Sequence, residues 1–192
     1  MMEESDAALV TRAREGDQDA FGVLVENHSQ ALFRLAFRMT GNEHDAEDIV
    51  QETFLRAHRQ LGRFESRASF RTWLHRIAAN CSLDLLRKRQ RHRDEDDAVD
   101  LESAEAIPAM QSRAPAPDQE LLHAEVHQQV VYALEHLTPM ERTAFVLRHF
   151  EGRSIEEIGT TLGAGSNATK QSIFRAVQKI RRALEPMVKA TP

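Results

Sequence analysis

Apolar residues along this 192-residue chain recur at helical spacing, and strand-like alternation is absent, so the pattern predicts an all-α protein. Residues 6–14 and 19–40 read as helices. The second carries Phe21, Leu24, Val25, Leu32, Leu35 and Ala36 near the helical period and is stopped by Gly41. Asn42 is placed to cap a third helix over 43–61, with Ala46, Val50, Phe54, Ala57 and Leu61 on its apolar side. The opposite side runs from Asp45, Asp48 and Glu52 to Arg56 and Arg59, an order that suits the helix dipole. A long fourth helix begins near Ser69 and buries Phe70, Leu74, Ile77, Cys81 and Leu85, while Arg76, Asn80, Asp84 and Arg87 line a second stripe.

The periodicity lapses between 93 and 116, where Pro108, Pro115 and Pro117 accompany a run of acids. This predicts two small helical domains, 1–93 and 119–192, joined by a flexible acidic linker over 94–118. In the second domain Leu122, Val126, Val130, Leu134 and Leu137 mark a helix that ends before Thr138. Thr138 with Glu141, and Ser154 with Glu157, have capping-box spacing, the first with Pro139 at the opening helical position. The helices they open end near Phe150 and Leu162. Gly163 and Gly165 then precede a final helix capped by Ser166, with Ile173, Val177, Ile180 and Leu184 on one stripe, expected to stop at Pro186. A short helix, a glycine turn and a longer basic helix form a helix-turn-helix pattern, whose second helix enters the major groove of DNA.

A formal net charge of −5 argues against nucleic acid only if charge is averaged over the chain. Salt screens charge over about 10 Å, so its distribution matters more. Basic residues crowd 63–93: Arg63, Arg67, Arg71, Arg76, Arg87, Lys88, Arg89, Arg91 and Arg93 face only Glu65 and Asp84, which makes a candidate phosphate-binding block. Interleaved Phe64, Phe70 and Trp73 are candidate stacking platforms for single-stranded DNA, worth about 1–3 kcal/mol per stacked base, although each serves a core equally well.

Other chemistry is sparse. A single cysteine, Cys81, excludes an internal disulfide framework and a cysteine-based zinc cluster. His123 and His127 stand four apart, but Glu125 is not placed as in His-Glu-x-x-His, so no metal and no cofactor are expected. Glycine-rich phosphate loops and nucleophile elbows are missing, which points away from an enzyme. The acidic start Met1, Met2, Glu3, Glu4 and the lack of a long apolar run lead us to expect a cytoplasmic protein without membrane insertion.

Four blocks, taken in order, resemble the extracytoplasmic-function (ECF) group of the sigma-70 family: DAEDIVQETFLRAHRQLGRFE (45–65), SFRTWLHRIAANCSLDLLRKRQR (69–91), LEHLTPMERTAFVLRHFEGRSIEEIGTTLG (134–163) and RAVQKIRRAL (175–184). The resemblance implies a transcription initiation factor with a region 2 helical bundle and a region 4 helix-turn-helix. Its implied partners are core RNA polymerase, through the β′ clamp helices and the β subunit, promoter DNA in double- and single-stranded form, and an anti-sigma factor. It assigns polymerase docking to Asp45, Asp48, Gln51, Glu52 and Arg56. It assigns the opening and reading of the minus-10 element to Arg63, Phe64, Ser66, Arg67, Trp73, Arg76, Asn80, Asp84, Arg87 and Lys88. The minus-35 element falls to Ser166, Asn167, Thr169, Lys170, Gln171, Phe174, Arg175 and Lys179.

The chemistry of that last set agrees, since Asn and Gln bond adenine bidentately while Lys and Arg take guanine or phosphate. Where many members of the group carry Lys-Ser-Arg, this chain reads Lys170-Gln171-Ser172, which implies an unusual minus-35 sequence. The acidic linker serves either as a solubilising tether or as a mimic of nascent RNA in a basic channel. Two other classes fit parts of the chain. A conventional helix-turn-helix regulator would need only the second domain, and an adaptor that sequesters polymerase would need only the charged docking helix.

Overall fold

The computed structural model describes residues 5–65, 68–96, 133–134 and 136–190, with side chains of 93–96 and 186–190 excluded. Helix α1 (Asp6–Arg14) starts at Ser5, whose hydroxyl accepts from the Ala8 N–H, and is tied to α2 (Gln18–Thr40) by a 3.0 Å contact between His28 Nε2 and Asp6 Oδ2. Gly41 ends α2 in the left-handed conformation (φ 72°) that its missing Cβ permits, and Asn42 Oδ1 then accepts from the Asp45 N–H to open α3 (Glu43–Gln60). A 3₁₀ turn, Leu61–Arg63, leads toward α4 (Phe70–Asp96), whose first turn is capped by Ser69 Oγ accepting from the Thr72 N–H. These helices bury Leu24, Leu32, Leu35, Met39, Phe54, Leu74 and Leu83 in one core. That apolar interior is what holds the bundle together, at about 1.5–3 kcal/mol per large side chain withdrawn from water.

Among the described residues, the second domain holds α5 (Pro139–His149), α6 (Ile155–Leu162) and α7 (Ser166–Ala190). Both expected capping boxes form: Thr138 and Ser154 accept from the Glu141 and Glu157 N–H groups, and each glutamate accepts in return from its cap's N–H. Ala133, Leu134 and Leu137 pack with Ala176 and Ile180 of α7.

Several expectations need adjusting. Helix α4 continues through Asp96 into the acidic run, so the proposed boundary at 93 falls inside a helix. The rest of the linker, and nearly all of the helix expected from Leu122, lie outside the described residues. Pro186 does not stop α7, which reaches Ala190; a proline removes one backbone hydrogen bond and bends a helix, but the turns beyond it retain their own. Ser166 is the first helical residue rather than the cap, because the Gly165 carbonyl already accepts from the Thr169 N–H.

The two domains are docked. Helix α5 packs on α4 and α2, and α6 on α4, so that Leu147, Ile158 and Leu162 join the core of the first domain. Nothing in the apolar periodicity announces this contact.

Candidate nucleic-acid and polymerase interfaces

Helix α3 presents its expected docking face unevenly. Asp48 and Gln51 are exposed, whereas Glu52 and Arg56 pair at 2.6 Å one turn apart. Asp45 is engaged within the fold: its two carboxylate oxygens take Arg89 Nη2 at 2.7 Å and Nη1 at 2.6 Å, which anchors the far half of α4 to the start of α3. Arg89 thereby leaves the basic block to serve the fold. Beside this face a largely apolar groove lies between α2 and α3, lined by Phe21, Val25, Phe33, Val50, Phe54 and Leu55.

At the other end of the bundle, Phe64, Phe70 and Trp73 form a cluster with ring centroids 5.0–5.8 Å apart. Phe70 and Phe64 are 3% and 8% exposed, so Trp73, which is half-buried, offers the cluster's accessible ring. This corrects the placement of Phe64 among the DNA-facing side chains: it lies beneath Trp73 because the 3₁₀ turn directs it inward with Leu61. Arg63, Arg76, Asp84, Arg87 and Lys88 are exposed and Asn80 is half-buried, so from Trp73 onward α4 carries an accessible polar stripe. Ser66 and Arg67 lie outside the described residues. Cys81 is buried, and burial pushes its thiol up, as suits a core residue.

On α7, Ser166, Asn167, Lys170, Gln171, Phe174 and Arg175 are exposed within the first three turns, with Phe174 at 64%. An exposed phenylalanine flanked by Lys170, Gln171 and Arg175 is a surface suited to base edges and thymine methyls. Two expected members are also engaged within the fold. Thr169 is fully buried, its hydroxyl donating to the Gly165 carbonyl at 3.1 Å, because it faces the turn where α6 and α7 cross. Lys179 donates to Glu141 Oε2 at 2.7 Å and ties α7 to α5. Gly159, which sequence reasoning missed, makes that crossing possible: a Cβ there would stand 2.7 Å from the Ala164 carbonyl oxygen and 3.2 Å from Thr169 Oγ1.

Sequence reasoning also missed the polar contacts between the domains. Glu151 places Oε2 2.7 Å from His75 Nδ1 and Oε1 3.6 Å from Arg38 Nη1. Burial pushes the Glu151 carboxyl up, yet His75 and the cations Arg38 and Arg153 outweigh it and hold it below its ordinary value. Arg38 also lies over the Phe150 ring at 4.6 Å, and its carbonyl accepts from Arg142 Nε. Arg153 donates to Thr72 Oγ1 at 3.1 Å. A cleft of about 420 Å³ remains between Arg63, Phe64, Trp73 and Arg76 on one wall and Arg153, Glu157, Thr160 and Thr161 on the other. Among the described residues no group of histidine, cysteine and acidic side chains is arranged to hold a metal, and no helix is long and apolar enough to cross a membrane.

Residues 24–92 match the family model described as Sigma-70 region 2, and residues 127–180 that described as Sigma-70, region 4. The chain is 34% identical over 191 residues to the RNA polymerase sigma-H factor of Pseudomonas aeruginosa, covering 98% of each. It is 32% identical to the ECF RNA polymerase sigma factor SigW of Bacillus subtilis, covering 93% of this chain and 96% of that one. Among solved structures it is similar to the sigma factor RpoE in complex with the anti-sigma factor NepR from Bartonella quintana, with a TM-score of 0.59 and 26% identity over 90% of this chain and 98% of that one.

Proposed function

The chain belongs to the extracytoplasmic-function group of the sigma-70 family, and from that premise we propose a division of labour among its surfaces. It is an RNA polymerase sigma factor: it directs core enzyme to specific promoters and is subject to anti-sigma control. In our reading the first domain docks on core polymerase through Asp48 and Gln51, with the Glu52–Arg56 pair beside them. Trp73 receives an unpaired minus-10 base while Arg76, Asn80, Arg87 and Lys88 follow the strand. The second domain reads the minus-35 element with Asn167, Lys170, Gln171, Phe174 and Arg175. Its work is binding and strand separation without covalent chemistry, carried out where polymerase and chromosome are, in the cytoplasm.

The observation that carries this assignment is the presence of two exposed DNA-compatible surfaces, the Trp73–Lys88 stripe of α4 and the first three turns of α7, on two domains of one chain. Two weak contacts on one chain reinforce each other through effective concentration, so neither domain alone needs high affinity. Run-off transcription with purified core polymerase on a library of promoter fragments tests it. Start sites that depend on the protein support the assignment. Polymerase binding without initiation would favour the adaptor, and DNA binding without polymerase binding the conventional regulator.

A further inference from the structure

We propose that the docked arrangement is a latched, non-initiating form of this protein, held by Glu151 of the second domain against His75 and Arg38 of the first. The proposal rests on the sigma-factor reading above. Glu151 sits in the turn between α5 and α6 with its side chain 9% exposed, and a carboxylate so enclosed is retained only where cations and donors surround it. His75 and Arg38 provide them from α4 and α2, and Arg153 adds a hydrogen bond to Thr72. Thr72 and His75 flank Trp73 on α4, and Arg76 follows His75 directly. The latch therefore closes on the segment assigned to the melted strand, and Arg153, Glu157, Thr160 and Thr161 face Trp73 across the cleft.

Reach gives the same answer. Elements centred at minus-10 and minus-35 lie about 25 base pairs apart, or about 85 Å of duplex at about 3.4 Å per pair. A compact chain of this length is only about 40 Å across. Docked domains cannot occupy both elements, so initiation requires the latch to open.

The test uses the full chain and the variants Glu151→Lys, which sets a cation against Arg38 and Arg153, and Arg153→Ala, which removes the bond to Thr72. Circular dichroism first verifies that helicity is kept. By small-angle scattering the wild type should have a radius of gyration within a few ångström of the roughly 16 Å of a compact chain, and Glu151→Lys should exceed it by about 5 Å or more, with Arg153→Ala between. Association with core polymerase should then be about tenfold faster for Glu151→Lys, because the open form no longer has to be awaited. Equal radii, or opening with no gain in association, would overturn the latch while leaving the sigma function intact if the wild type still initiates. If no chain bound polymerase or initiated, the sigma reading would fall and the latch with it.

Discussion

His75 of α4 and Glu151 of the α5–α6 turn stand 2.7 Å apart, and each belongs to a different domain. Everything between them in the chain, including the acidic run, leaves their meeting unannounced. Their contact sets the position from which both DNA-compatible surfaces start.

Exposed residues on the first turns of α7 should govern promoter choice and nothing else. Replacing Lys170, Gln171 and Arg175 together by alanine should remove minus-35 selectivity, costing about 1–3 kcal/mol of discrimination per lost bidentate contact, while affinity for core polymerase stays unchanged. Competition between promoter fragments in a transcription assay, with polymerase binding measured in parallel, reads both. Loss of polymerase binding would sink the division of labour.

Charge reversal on α3 should do the opposite. Asp48→Lys is expected to weaken core polymerase binding about tenfold or more, near 1.4 kcal/mol, without unfolding the bundle, because Asp48 is exposed. The same reversal at Asp45 should also lower the melting temperature, since that carboxylate holds Arg89 of α4.

Trp73 is the accessible ring of the aromatic cluster, so Trp73→Ala should slow promoter opening by the value of one stacked base, about 1–3 kcal/mol, whereas Trp73→Phe should retain much of the rate. Permanganate reactivity of unpaired thymines measures the opened fraction. Phe64→Leu, beneath it, should instead lower thermal stability.

Gly159→Ala should destabilise the second domain by about 1–3 kcal/mol, because the added methyl meets a backbone carbonyl that cannot rotate away. Thermal melts of the full chain would show it, and promoter selectivity should suffer as the angle between α6 and α7 changes. A neutral outcome would mean that the crossing is looser than its geometry.

Acid should loosen the second domain first. Burial pushes the Glu141 carboxyl up, but Lys179 and the Thr138 N–H outweigh it and hold it below its ordinary 4.5; Glu157 is likewise lowered, chiefly by the Ser154 N–H. Carboxylates depressed in the folded state contribute stability that is fully present above the unfolded value and is lost as pH falls through the folded one. Melting temperature should therefore hold above about pH 5 and fall below pH 4, and Glu141→Gln should flatten that fall while lowering stability at neutral pH.

Local physics made much of this protein legible before any tertiary contact was known. A cap binds a backbone group three residues away and a buried stripe repeats within one helix, so Asn42, Thr138 and Ser154 and the stripes of α2 to α4 and α7 could be read directly. The four blocks and their order were enough for the family, and the exposed set Lys170, Gln171, Phe174 and Arg175 stood out because their spacing avoids the α7 stripe. What only the tertiary structure decided depends on atoms brought together from distant parts of the chain. It buried Thr169 in a turn and Phe64 beneath Trp73, and it gave the exposed Lys179 a partner on another helix. It also closed Glu151 onto His75 and Arg38, because a buried ion pair is chosen by the three-dimensional neighbours available to it and leaves no periodic trace in sequence.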